Sequence, residues 1–337
     1  MNLREDLIEL SRAVGTGYVK EAAETLVRLI SPYAACETTD TLTVLATVRG
    51  NSDRTLLLDA HLDEVAMIVT DVDDKGFLTV AKCGGIDLRT LPARTVTVHG
   101  KEKIPAVFSS TPPHLAAGEQ SFEKLYDWKI DTLLGERAKD VVSVGDLVTW
   151  RTEPVMLSEH RLSGKSLDNR ASVACLIELA RRFAAKKPPM NLVFVFSDQE
   201  ELGLRGIRTA AHRVCPEEAV VLDVSFADGV GISPLDCGKM GQGAMIGVSP
   251  VLDQKITQKL QQLAAQNGIA HQTEVMGDHT GTNADRLSLT GNGVPTGLLS
   301  IPLRNMHTDV ETVDLRDLYA VCDLLERYIE AGGVADA

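Results

Sequence analysis

The most informative stretch of this sequence is Thr55-Leu56-Leu57-Leu58-Asp59-Ala60-His61-Leu62-Asp63. Its first half is a continuous apolar run, which is typical of a strand covered on both faces of a sheet. Polar residues follow directly, and in open α/β sheets ligands bind beyond the carboxyl ends of the strands. The stretch therefore predicts a central strand with a candidate site at its end.

The segments around this stretch alternate between helical and strand patterns. Upstream, the patterns predict helices over 3–13 and 18–31 and a strand over 41–48. Downstream of residue 164 they predict helices over 169–185, 204–213, 252–267 and 314–330, and strands over 191–197, 219–224 and 294–301. Such alternation predicts an α/β fold, a three-layer α/β/α domain with a mostly parallel central sheet.

The region between residues 69 and 160 has a different character. It contains short β-like runs punctuated by glycine and proline, as at Gly84-Gly85 and Pro112-Pro113, with little helical periodicity. We therefore predict an inserted β-rich domain over 69–160, which interrupts an α/β domain made of residues 1–68 and 161–337.

Charge and hydropathy restrict the class of partner. The 337 residues include 34 Lys and Arg against 47 Asp and Glu, a net charge of −13, which disfavours binding to nucleic acid or anionic lipid. No apolar run approaches the roughly 20 residues that span a bilayer. The first residues include acids where a signal peptide needs basic ones. These observations predict a cytoplasmic protein with no nucleic-acid and no membrane partner.

Two acidic motifs follow predicted strands. In His61-Leu62-Asp63, alternation places both side chains on one side, so His61 could bind a metal while Asp63 accepts its other ring N–H. The alternative is a turn histidine beside a solvated acid. Glu200 and Glu201 follow the strand over 191–197 and could divide the roles of general base and metal ligand. The alternative is an acid pair at a helix start.

Three further residues complete the candidate set. Asp168 directly precedes a predicted helix and is most simply an N-cap. Asp223 and His307 each follow a strand, either as site residues or in surface loops. Taken together, two imidazoles and several carboxylates form the set that builds two divalent ions joined by a bridging carboxylate. Mixed nitrogen and oxygen ligation suits Zn²⁺, Co²⁺ or Mn²⁺.

Several segments resemble one known family, the dinuclear-metal aminopeptidases of the glutamyl, deblocking, TET and FrvX-like group. The segments are 59–65, 164–170, 199–206 and 293–311, in matching order and spacing. In the interrupting region, 84–87 and 104–115 resemble the family's inserted dimerisation domain. The resemblance covers nearly the whole chain.

The resemblance implies a role for each candidate residue. One ion would be held by His61, Asp168 and Asp223, and the other by Asp168, Glu201 and His307, with Asp168 as the bridge. Glu200 would be the general base, and Asp63 would orient His61. A cis peptide bond between Asp168 and Asn169 is also implied.

The implied activity is a metallo-aminopeptidase that removes N-terminal residues from short peptides through a metal-activated water. Two divalent ions per subunit (Zn, Co or Mn) and a homo-oligomer follow from the resemblance, with a dimer as the building block and a dodecamer as the larger assembly. Two alternatives stay open, a glycoside hydrolase that uses a carboxylate pair without metal and a non-catalytic scaffold.

The chain departs from the family pattern at two positions. Family members commonly have aspartate where this chain has Asn283, and proline where it has Ala244. We expect both segments to border the substrate pocket.

Overall fold

The computed structural model describes residues 2–110 and 128–334. The Pro112-Pro113 motif and residues 111–115 of the family-like segment lie outside the described residues. The helices are α1 (Leu3–Arg12), α2 (Glu21–Ile30), α3 (Ala138–Val141), α4 (Leu167–Ala184), α5 (Gly206–Val214), α6 (Gln254–Asn267), α7 (Ala284–Leu287) and α8 (Leu315–Glu330). In the described part of the chain, none of them has the length and apolar character needed to cross a membrane.

The described strands form a large sheet and a barrel. In chain order they are β1 (Ala35–Thr38), β2 (Val44–Val48), β3 (Thr55–His61), β4 (Ala66–Val72), β5 (Phe77–Cys83), β6 (Thr95–His99), β7 (Lys103–Phe108), β8 (Ile130–Asp131), β9 (Leu147–Trp150), β10 (Val155–Met156), β11 (Arg161–Gly164), β12 (Asn191–Ser197), β13 (Glu218–Phe226), β14 (Ala244–Val248), β15 (His271–Val275), β16 (Thr296–Arg304) and β17 (Glu311–Asp314). The predicted α/β alternation is present, whereas β1, β11, β14, β15, β17, α3 and α7 were not predicted.

The large sheet is parallel in its centre and between β14 and β15, and antiparallel elsewhere. Its order is β1-β2-β12-β3-β13-β16-β17-β11-β10, with β14 and β15 attached beside β16. Strands β12, β3, β13 and β16 are mutually parallel, while the flanking pairs such as β1 with β2 and β10 with β11 are antiparallel. The prediction of a mostly parallel sheet is therefore wrong for the antiparallel flanks. Short turns join β1 to β2 and β10 to β11 and reverse the chain direction there.

Strand β3 is buried on both sides, as its apolar run predicts. Leu56 and Leu58 belong to the hydrophobic cluster that includes residues of α1, α4 and α8. Leu57 points into a second cluster, with residues of α5 and α7. Because successive side chains of a strand point to opposite faces, helices cover both faces at this strand.

Helix ends follow local capping chemistry. At α6, the Asp253 side chain accepts a hydrogen bond from the backbone N–H of Ile256, and Gly268 ends the helix with φ +62°. At α8, the Asp314 side chain accepts from the N–H of Arg316. These are the residue types that favour helix starts and stops, which is why both helices could be located within about two residues from sequence.

The barrel consists of the strands β4-β5-β8-β7-β6-β9 and is closed. It has its own hydrophobic cluster, which includes Met67, Leu78, Phe108 and Trp150. Strand β4 begins shortly after β3 ends, and the chain returns to the large sheet through β10 and β11, just before α4. The barrel is therefore inserted between the two segments that contain His61 and Asp168.

We expect Leu58→Ala to lower the free energy of unfolding by about 2–5 kcal/mol, because Leu58 is fully buried and its truncation leaves a cavity in the central strand. Denaturant unfolding measures this. Leu235→Ala is the matched control: Leu235 is 94% exposed, so the same substitution should change stability by less than about 0.5 kcal/mol. Equal losses in the two variants would contradict the assignment of β3 to the core.

Candidate metal centre

The seven candidate residues meet at the carboxyl ends of the parallel strands. His61 is the last residue of β3, Glu200 and Glu201 follow β12, Asp223 lies in the second half of β13, and His307 follows β16. Parallel strands end at the same edge of a sheet, which is where α/β proteins bind ligands. Asp168 joins them from the start of α4, and Asp63 from the segment after β3.

Asp168 lies at the centre of the group. Its Oδ1 is 3.0 Å from Nε2 of His61, and its Oδ2 is 3.3 Å from Nε2 of His307. Its backbone angles, φ −79° and ψ 103°, are not helical, and the peptide bond to Asn169 is cis, as the resemblance implies. The N-cap interpretation of Asp168 is therefore wrong: this carboxylate faces two imidazoles with two different oxygens.

Two overlapping groups of side chains could each hold a cation. His61, Glu200 and Asp223 offer ligand atoms within 4.8 Å of one another, and so do His61, Asp168 and Glu201. His307 extends the second group, because its Nε2 lies 3.2 Å from Oε1 of Glu201. Glu200 thus lies close enough to His61 and Asp223 to bind the same cation. From the sequence, Glu200 was predicted only as the general base.

Asp63 contacts residues of both acidic motifs and connects them. Its carboxylate accepts the backbone N–H groups of Glu200 at 2.9 Å and Glu201 at 3.1 Å, and its Oδ1 is 3.5 Å from Nδ1 of His61. Asp63 is buried, so the alternative of a solvated acid is wrong. Helix α5 begins only at Gly206, so Glu200 and Glu201 lie in a turn and are not an acid pair at the helix start.

Two supporting residues were missed by the sequence reasoning. The carboxylate of Glu311 accepts the N–H of Asp168 at 3.0 Å and the N–H of His307 at 2.7 Å. The side-chain amide of Asn169 donates to the Leu222 carbonyl at 2.9 Å, beside Asp223. Glu311 begins a strand that was not predicted, so only its place in the family-like segment marked it.

Asn283 also supports the site from within. Its amide nitrogen donates to Oδ2 of Asp59 at 2.8 Å and to Oγ of Ser197 at 2.7 Å, which joins β3 to β12. Asn283 and Ala244 are both buried, and the expectation that their segments border the substrate pocket stays a prediction. An amide at residue 283 can donate to Asp59, which an ionised aspartate could not do.

Carboxylates outnumber imidazoles among the candidate residues at this edge of the sheet. Burial and the neighbouring carboxylates raise the pKa of Glu200 to about 9, and burial likewise raises the pKa of Asp223. Burial opposes a charge on His307, but hydrogen bonds to Asp168 and Glu201 outweigh it and raise its pKa to about 11. Crowded, buried carboxylates with two imidazoles are a donor set that fits divalent cations such as Zn²⁺, Co²⁺ or Mn²⁺.

The family model of the M42 glutamyl aminopeptidases matches residues 43–324, which is most of the chain. This chain belongs to the M42 family. The match includes all seven candidate residues, and it confirms the resemblance inferred from their motifs.

Individual relatives agree over most of the chain. Lysyl aminopeptidase from Pyrococcus furiosus is 31% identical over 300 residues, which cover 85% of this chain and 84% of that protein. A TET aminopeptidase from a marine sediment Thaumarchaeota archaeon superimposes with a TM-score of 0.93 at 27% identity, covering 98% and 97% of the two chains. Pyrococcus horikoshii TET1 peptidase gives 0.86 at 29% identity, covering 97% and 99%.

The barrel contributes backbone next to the candidate metal centre. A Cβ atom on Gly85 would lie 2.9 Å from Nδ1 of His307, and one on Gly84 would lie 3.4 Å from Oε2 of Glu201. Contacts below 3.0 Å force a neighbour to move. The two glycines after β5 thus let the chain pass close to two candidate ligands.

We therefore expect Gly85→Ala to displace the His307 ring and to weaken metal binding and peptide turnover by about tenfold or more, the effect usual for partners that orient a ligand. The measurements are metal affinity by chelator competition and kcat/KM. Gly277→Ala is the control, because nothing lies within 4 Å of its Cβ position. Unchanged metal affinity in folded Gly85→Ala would contradict this packing argument.

Proposed function

We propose that this M42 aminopeptidase removes N-terminal residues from short peptides at a centre of two divalent metal ions. The family match supports the reaction class. The observation that carries the proposed centre is the carboxylate of Asp168, whose two oxygens face His61 and His307. A carboxylate between two ligand groups is suited to bridge two cations about 3.5–4 Å apart.

The proposed ligand assignment follows this geometry. His61 and Asp223 would hold one ion, Glu201 and His307 the other, and Asp168 would bridge them. Asp63 would keep His61 in the orientation and tautomer that leave Nε2 free for metal, because it lies on the Nδ1 side of the ring.

The chemistry divides between the ions and the protein. Two bound divalent ions would lower the pKa of a water molecule toward about 7 and polarise the carbonyl of the scissile bond. Glu200 would accept the proton of the attacking water and return it to the leaving amine. Its backbone N–H is held by Asp63, so the base is aimed by the same carboxylate that faces His61.

We further propose that the inserted region predicted over 69–160, whose barrel strands lie between Ala66 and Trp150, forms a dimerisation domain and that the dimers build a larger homo-oligomer. The support is the TET1 peptidase of Pyrococcus horikoshii, which can assemble into a tetrahedron or a large octahedral shell. The closed barrel is the part of this chain that corresponds to the inserted region. Location in the cytoplasm stays a prediction from the sequence.

The two alternative functions have less support. A glycoside hydrolase needs a carboxylate pair without histidine ligands, whereas here the acids surround two imidazoles, and the family is one of aminopeptidases. A scaffold would not need a bridging carboxylate, a half-buried base and their supporting hydrogen bonds at one edge of the sheet.

We expect Glu200→Gln to lower kcat by about 10²- to 10⁴-fold, because the amide cannot accept the proton. Bound metal, counted by elemental analysis, should stay at two ions per subunit. Glu217→Gln is the control, since Glu217 is exposed at the opposite end of the sheet. A Glu200→Gln enzyme with wild-type kcat would rule out the proposed base.

Chelation tests the metal requirement separately. Metal-stripped protein should not hydrolyse aminoacyl-p-nitroanilides of Leu, Glu, Lys or Ala, and added Zn²⁺, Co²⁺ or Mn²⁺ should restore release. The same panel reports the preferred N-terminal residue. Full turnover by stripped protein would overturn the two-metal proposal, and EDTA-resistant polysaccharide hydrolysis would favour the glycoside hydrolase.

A further inference from the structure

Two residues that are close in sequence to the candidate metal centre form a buried ion pair. Lys165 and Glu64 are 3% and 2% exposed, and Nζ of Lys165 donates to Oε2 of Glu64 at 2.8 Å. The same Nζ contacts Oγ of Ser166 at 3.0 Å, and the Ser166 hydroxyl donates to the same Glu64 oxygen. All three side chains are buried together.

This cluster joins the two segments that supply the first ligands. Glu64 is three residues after His61 and adjacent to Asp63, whereas Ser166 is two residues before Asp168. About 100 residues separate Glu64 from Lys165 along the chain, and they include the barrel. The side-chain bonds therefore connect segments that the covalent chain leaves far apart.

A third segment, near the N-terminus, donates hydrogen bonds to the same cluster. The N–H of Gly15 donates to Oε1 of Glu64 at 3.0 Å, and the Ser11 hydroxyl donates to the Lys165 carbonyl at 2.7 Å. Glu64 thus accepts bonds at both carboxylate oxygens, and the position of Lys165 is set at its backbone and at its ammonium group.

Stability alone does not account for this pair. Removing two charges from water costs several kcal/mol per ion, and apolar replacements of buried ion pairs are often neutral or stabilising. Such a pair instead fixes the relative position of the two segments that carry it. Ser166 has φ +59°, a left-handed conformation uncommon for residues other than glycine, so its bond to Glu64 helps to hold the turn that leads into Asp168.

A second buried cation adjoins the pair. Arg170 is fully buried, which lowers its pKa, and Glu64 and Asp63 are the acids that most favour its charge. A Cβ atom on Gly15 would lie 2.6 Å from Nη2 of Arg170, so the glycine makes room for the guanidinium. Positive charge therefore lies near Asp63 and Glu64.

We propose that Glu64, Lys165 and Ser166 are positioning residues that hold Asp168 against His61 and so set the geometry of the bridge. This inference rests on the two-metal centre proposed above. It assigns to the three residues no contact with substrate. Their effect passes through the ligand positions, which must be held to within about 0.5 Å for a metal site to keep its geometry.

The test compares Glu64→Gln, Lys165→Met and the double variant with the wild-type protein. The first measurement is the number of Zn²⁺ ions bound by wild type; fewer than two would refute the proposed centre itself, independently of this inference. Next come Zn²⁺ affinity by chelator competition, the melting temperature of the metal-free protein, and kcat and KM. We expect Zn²⁺ affinity to fall by about 10- to 100-fold, with kcat lowered more than KM is changed.

The double variant keeps the test decisive if a single variant does not fold, because it removes both charges of the pair and leaves Asp63 to offset the charge of Arg170. Its loss of affinity should not exceed that of the worse single variant, since the two residues act through one bond. Glu218→Gln is the matched control: Glu218 is equally buried and paired with Arg54 at the opposite end of the sheet. It should lower the melting temperature without changing Zn²⁺ affinity.

Two results would overturn the proposal. One is a folded double variant whose Zn²⁺ affinity stays within twofold of wild type. The other is a loss of affinity in Glu218→Gln as large as in Glu64→Gln, which would mean that any buried charge change has this effect.

Discussion

The contact on which the rest of this site depends is that of one carboxylate with two imidazoles. Asp168 can face His61 and His307 at once only because the chain brings the ends of β3 and β16 and the start of α4 to the same edge of the sheet. Burial and, after it, repulsion between the neighbouring carboxylates raise the pKa of Glu200 and of Asp223. These carboxylates and imidazoles are therefore best explained as a cation-binding site.

The insertion of the barrel has a consequence for this edge. The chain leaves the large sheet just after Asp63 and returns just before Asp168, so two ligand segments that are neighbours in space are far apart in sequence. Side-chain and backbone bonds close that gap: Glu64 binds Lys165 and Gly15, and Glu311 accepts from the backbone at Asp168. The barrel also passes back over the site at Gly85, where a side chain would meet His307.

Patterns that depend on neighbouring residues were predictable. The buried strand ending at His61, the capped helices α6 and α8 and the acids after β12 all leave local signals of periodicity and capping. Antiparallel flanks, the short strands β14, β15 and β17, and the support from Glu311 leave none, because pairing partners far along the chain decide them. Asn283 illustrates the limit: its segment was noticed, but only packing shows that its amide binds Asp59 and Ser197.

The sequence by itself determined the class of fold, the identity of the seven candidate residues and the family, since residue types at fixed spacing and strand ends carry that information. Only the tertiary structure decided that Asp168 is not an N-cap, that Asp63 holds the Glu200 turn, and that Glu64 and Lys165 form a buried pair. The physical reason is that hydrogen bonds and burial depend on distances between segments, and a local pattern of residues does not contain those distances.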